Sequence, residues 1–209
     1  MIINNFDDIK KILFFDSKKE FFYFVQIIIR KKDMPNKVSG DKNVIKTMYI
    51  DSMETLEKKT PMIKDLCDKT GARAYIHPMP KSYKDMTKQM LKILSDKIFA
   101  DDFQSPQNVA DKAAGIIKGE FPRWIVDLDN VKESDIGLYE YVINNDCEPL
   151  DKRNKVITRI KTKNGFHLIT EPFNLNGFNG VLTFLEKEIP DVHKNNPTVL
   201  YVNDVLHAK

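Results

Sequence analysis

Cysteine is nearly missing from this chain. Cys67 and Cys147 are the only two in 209 residues. They are far apart, form no CxxC pair and sit in no histidine cluster, which argues against a disulfide framework or a structural zinc site. Both are expected to be buried thiols in a reducing compartment. Tryptophan occurs once, at Trp124, and glycine eight times. No apolar run reaches the roughly 18 to 20 residues that span a bilayer. The opening MIINNFDDIKKILFF carries acids and lysines where a signal peptide needs an uninterrupted apolar stretch. The expectation is a soluble, cytoplasmic protein with no membrane partner. Charge of one sign is also lacking: 33 Lys and Arg nearly cancel 30 Asp and Glu, leaving a formal net charge of +3. Bulk electrostatics therefore identifies no nucleic-acid partner, and any such case rests on local clusters.

The rest is ordinary globular composition, 42% hydrophobic and 30% charged, enough for one sizeable core. Apolar periodicity predicts a short helix over 6–15 and a buried strand over 21–32, followed by a turn-rich loop over 33–43. A strand over 44–50 leads into a helix with Ser52 as N-cap and Gly71 as C-terminal stop. A strand over 72–78 precedes a helix over 81–102 whose Met86, Met90, Leu91, Leu94 and Ile98 form the expected core stripe. A further helix falls in QSPQNVADKAAGIIKG. Then come a strand over 124–129, a helix over 133–144, two strands around Asn164-Gly165, a helix in FNGVLTFLEKEI and a last strand in TVLYVND. The pattern predicts one mixed α/β (α+β) domain over 1–209, with a soft division into 1–105 and 106–209.

The stretch RWIVDLDN carries the chemistry. Residues i and i+2 of a strand share a face, so Asp127 and Asp129 are neighbours at the exit of an apolar run. Two ionised carboxylates this close repel each other, and a divalent cation such as Mg²⁺ or Mn²⁺ relieves that. The bland alternative is that they solvate a strand end or cap the next helix. A second signal is RIKTKNGFHLIT. Arg159, Lys161 and Lys163 alternate along one strand, and the Asn164-Gly165 turn brings His167 back on its partner, a candidate triphosphate pocket. Its bland alternative is a solvated basic hairpin. Arg73, His77, Lys81 and Ser82 mark a strand-to-helix passage read as a capped helix start or a phosphate contact. Trp124 is expected to anchor the core. His193 and His207 receive no role.

The order Ile125-Val126-Asp127-Leu128-Asp129 followed by Thr162-Lys163-Asn164-Gly165-Phe166-His167 resembles the archaeo-eukaryotic primase superfamily, including the primase-polymerases of plasmids and phages. The resemblance implies an N-terminal α/β module packed on an RRM-like sheet module. It also implies metal-binding acids at Asp127 and Asp129 and a phosphate-contacting histidine at His167. The family's third acid maps onto Asp191, though Pro190 stands where an apolar residue is usual, with Asp204 as its rival. The implied activity is template-directed nucleotidyl transfer from nucleoside triphosphates on a single-stranded template, using Mg²⁺ or Mn²⁺. Arg159, Lys161, Lys163, Asn164 and Gly165 would assist His167. A helicase or other replication proteins are the further partners implied. Two alternatives remain open: an inactive primase-like fold that binds single-stranded nucleic acid or a protein, and a haloacid-dehalogenase-like phosphatase using Asp127 in DLDNV. The spacing around His77 and His167 does not fit a two-histidine phosphoesterase.

Overall fold

The computed structural model describes residues 1–30, 43–129, 131–150 and 154–203. Asn130, Asp204, His207 and most of the expected loop over 33–43 lie outside the described residues, so the rival third acid has no structural account. The architecture is α+β, with two antiparallel sheets and helices packed on them.

The first sheet runs β1 (Ile2–Asn4), β10 (Thr198–Asn203), β4 (Arg73–Ile76), β2 (Phe21–Ile29), β3 (Asn43–Ile50), and β5 (Lys81–Ser82) also pairs with β2. β2 is rich in aromatic and β-branched residues and is buried along most of its length, the composition of a strand covered on both faces. Helices α1 (Phe6–Lys10), α2 (Met53–Thr70), α3 (Tyr83–Phe99) and α4 (Val109–Ile116) belong to this half. α2 begins where Ser52 accepts from the Thr55 N–H and ends at Gly71, whose φ of 68° fits the left-handed stop that glycine adopts without a steric penalty. α1 stops at Lys10 rather than reaching residue 15, and the chain beyond it turns so that the Phe14 N–H donates to the Tyr23 hydroxyl.

The expected stripe on α3 is only partly internal. Met86, Met90 and Ile93 pack with Phe22, Phe24 and α4, whereas Leu91, Leu94 and Ile98 are exposed. The helix is apolar on more than one side, and the sheet and α4 cover just one. No helix among the described residues is long and apolar enough to cross a membrane.

The second sheet arises from β6 (Trp124–Asp129), α5 (Glu133–Tyr141), β7 (Val156–Lys161), β8 (Gly165–Thr170), α6 (Leu175–Phe184) and β9 (Asp191–His193). Its spatial order is β7-β8-β6-β9, so each crossover spans one intervening antiparallel strand, the split βαββαβ arrangement. The division near residue 105 is crossed by β10, which returns from the C-terminal part to the first sheet between β1 and β4. Ile125, Ile160 and Ile169 of the second sheet share one core with Val25, Ile27, Ala74 and Leu200 of the first. Arg123 donates to the Ile12 and Pro78 carbonyls, and Asn5 donates to those of Lys161 and Val199. These bonds tie the two sheets together where the candidate site lies. Cys67 and Cys147 are buried free thiols, as expected.

Candidate active site

β6 places Trp124, Val126 and Leu128 on one face and Ile125, Asp127 and Asp129 on the other. The first set packs beneath α5 and α6 with Ile136, Tyr139, Phe178 and Leu182. Trp124 packs at a tilt against Phe173 there, anchoring the core as expected. The second set starts buried in the shared core at Ile125, is half-buried at Asp127 and reaches solvent at Asp129. The face thus changes from apolar to acidic over five residues.

Strand register extends this gradient sideways. Asp127 pairs with His167 on β8 and with Asp191 on β9, while His167 pairs in turn with Ile160 on β7. Directly opposed residues share a face with Cβ atoms about 4.5–5.5 Å apart. His167, Asp127 and Asp191 therefore form one continuous row. One pleat toward the shared core, Ile125 lies between Ile169 and His193; one pleat outward, Asp129 lies opposite Gly165. A Cβ on Gly165 would meet the Leu128 carbonyl oxygen at 1.9 Å, so glycine is required there and β8 presents no side chain opposite Asp129.

His167 Nε2 is 3.5 Å from Asp127 Oδ1, and its Nδ1 is 2.8 Å from the buried Thr198 hydroxyl on β10. The first contact falls short of a hydrogen bond, and Asp127 Oδ1 is buried with no hydrogen-bond partner. His167 holds the Asp127 carboxyl below its ordinary range, helped by the more distant His193 and Arg30 and opposed by burial. Asp127 is therefore ionised, with one oxygen unsatisfied and a second carboxylate directly across the strand at Asp191. These features fit a divalent cation with oxygen ligands. Among the described residues, no three His, Cys, Asp or Glu side chains stand together as a closed ligand cluster.

The basic hairpin departs from expectation. Its two strands are present, but the register that puts Ile160 opposite His167 puts Arg159 opposite Leu168 and Lys161 opposite Phe166. Arg159 and Lys161 therefore lie on the helix-covered face, away from His167. Arg159 forms a two-pronged ion pair with Glu140 of α5. Lys163 and Asn164 fill the turn. The Gly165 N–H donates to Thr162 Oγ1 at 3.0 Å and its carbonyl accepts from the Thr162 N–H at 2.9 Å, so the glycine backbone closes the hairpin and is not left to cradle a phosphate. Lys81 and Ser82 have structural roles: Lys81 donates to the Ala114 and Ile117 carbonyls at the end of α4, and Ser82 caps α3.

Three residues around the Asp127 and His167 pair carry no role in the sequence reading. His193 received no role, yet the alternation Asp191-Val192-His193 is itself a strand signal that puts both polar residues on the Asp127 face. Thr198 opens a strand whose next four residues are apolar and buried, and a lone threonine gives no warning of a partner on another sheet. Arg30 follows β2 with no local signal.

Fold and site together define an α+β protein whose candidate centre is a row of imidazole and carboxylates on an antiparallel sheet. No protein-family model, curated protein or solved structure matches the chain.

Proposed function

We propose that the chain is a metal-dependent nucleotidyltransferase of the primase-polymerase type, acting on a single-stranded nucleic-acid template with nucleoside triphosphates. The observation that carries this reading is the row His167, Asp127, Asp191 on one face of a βαββαβ sheet, with Asp129 one pleat along β6. The strand order is that of an RRM-like module. Residues named from separate motifs share one surface, which supports the primase resemblance.

In this reading Asp127, Asp129 and Asp191 hold Mg²⁺ or Mn²⁺, which when bound supplies activation of the attacking hydroxyl and charge neutralisation on the leaving pyrophosphate. His167 presents Nε2 along the same row and donates to a phosphate oxygen. Arg159 and Lys161 have no part in the grip. The phosphatase alternative loses support, because its nucleophile belongs at the end of a parallel strand in a doubly wound sheet, whereas both neighbours of β6 are antiparallel. The inactive, strand-binding alternative draws on the exposure of Asp129 and Asp191, which leaves Asp127 without a closed ligand set.

Nucleotide incorporation on a single-stranded template, with Mg²⁺ or Mn²⁺, separates these readings. The Asp127→Ala/Asp129→Ala variant should lose at least about 10²-fold in rate, and equal activity in both proteins would overturn the metal assignment. Inactivity of both with tight single-strand binding would favour the binding module. Phosphate release from a simple phosphomonoester would restore the phosphatase.

A further inference from the structure

Thr198 lies on the opposite sheet from His167, 31 residues further along the chain, and is wholly buried. β10 does not need its hydroxyl as a strand residue: Val199, Leu200, Tyr201 and Val202 beside it are apolar and buried, and a valine would fill the same volume. The hydroxyl is used on His167 Nδ1, at 2.8 Å. The other ring nitrogen, Nε2, faces Asp127 Oδ1 at 3.5 Å. Asp127 Oδ1 is an acceptor site, so the nitrogen that faces it is the one suited to carry the proton. In a neutral ring Nδ1 is then an acceptor, and the matching donor beside it is the Thr198 O–H.

We propose that Thr198 is a positioning residue: its hydroxyl donates to Nδ1, holds His167 as the Nε2–H tautomer and aims that N–H along the Asp127 row. The bond also fixes the ring from the first sheet, so the face bearing the acids and the strand opposite it are set in register by one side-chain contact. Only the consequence for nucleotide binding rests on the nucleotidyltransferase reading. There, Nε2–H is the donor that meets a phosphate oxygen, as ring tautomers fixed by a partner on the far nitrogen do in other histidine sites.

The test is nitrogen NMR of the His167 ring, recorded with the ring neutral, in the wild type, Thr198→Val and Thr198→Ser. The expected result is an Nε2–H ring in the wild type, a mixture of tautomers in Thr198→Val and recovery in Thr198→Ser. In incorporation assays, KM for the nucleoside triphosphate should rise about tenfold in Thr198→Val, the loss of one hydrogen bond, with less change in kcat. An Nδ1–H ring in the wild type would overturn the assignment, as would a wild-type tautomer retained in Thr198→Val. The wild-type spectrum alone decides if the valine variant fails to fold. A tautomer change in proteins that incorporate no nucleotide would uphold Thr198 and overturn the nucleotidyltransferase reading, so the two fail separately.

Discussion

Lys81 in the first half of the molecule and Asp127 in the second are both drawn inside the fold, and they are treated in opposite ways. The Lys81 ammonium is wholly buried, donates to the Ala114 carbonyl at 2.6 Å and the Ile117 carbonyl at 3.2 Å, and lies 5.6 Å from the centre of the Phe24 ring. It closes the end of α4, where unpaired carbonyls and the helix dipole favour a cation. Asp127 has no such closure. Its inner oxygen lacks a hydrogen bond, one cross-strand neighbour is another carboxylate, and the strand carrying it is apolar on its reverse face. A buried charge whose partners are supplied by the fold is structural. One left with an open valence on the more solvent-exposed side of a rigid sheet is poised for something the chain does not contain.

The comparison breaks most sharply at Asp127. Asp127→Asn keeps the volume and removes the charge, so nucleotide incorporation should fall by about 10²- to 10³-fold while the urea unfolding midpoint changes little. Next comes Lys81→Ala, which strips two α4 carbonyls of their donor and opens a cavity. It should cost about 3 kcal/mol of stability by denaturant titration and leave the metal dependence of incorporation unchanged. A large stability loss in the Asp127 variant, or none in the Lys81 variant, would erase the distinction.

The limits of β6, the capped ends of α2 and the shared face of Asp127 and Asp129 were legible because each depends on residues close in sequence. Asp191 was named only through the primase resemblance; its place opposite Asp127, on a three-residue strand, was not foreseen. A strand that short exists through its pairing with β6, not through its own periodicity. The error at Arg159 and Lys161 has a definite source. Period two correctly put them on a common face of β7, but which face meets His167 depends on how many residues the turn consumes. Closing the hairpin between Thr162 and Gly165 puts Ile160, not an arginine or lysine, opposite the histidine. Thr198 was beyond local reading altogether, since the chain returns to the other sheet to supply it.

Gly165 joins the structural and functional sides of the comparison. Its absent Cβ lets β8 close against the Leu128 carbonyl and puts no side chain opposite Asp129 on that strand. Gly165→Ala forces a backbone shift between β8 and β6 and should cost about 1–3 kcal/mol, read from thermal or denaturant unfolding. Because the same shift moves His167 relative to Asp127, incorporation should fall as well. A stable variant with full activity would show that the β6 and β8 spacing is not what sets the row.

The smallest effect is a difference between two pH curves. Burial pushes the Lys81 ammonium down to about 8, against about 10.4 in an unfolded chain. Between those values the unfolded chain binds the extra proton, so this group makes stability rise with pH, and its contribution is lost as pH falls through about 8. The buried thiols act the other way: burial pushes Cys67 up to about 12 and Cys147 up to about 11, above the ordinary value near 8.5. Above about 8.5 the folded chain therefore holds protons that the unfolded chain releases, and stability falls. Lys81 offsets part of that fall in the wild type and cannot do so in Lys81→Met. The variant should lose stability more steeply with rising pH, by at most about 1.4 kcal/mol per pH unit between roughly 8 and 10.4, measured by urea unfolding across that range. Parallel curves would mean that the α4 carbonyls hold the Lys81 proton as tightly in the folded protein as water does in the unfolded chain, and that its burial carries no electrostatic penalty.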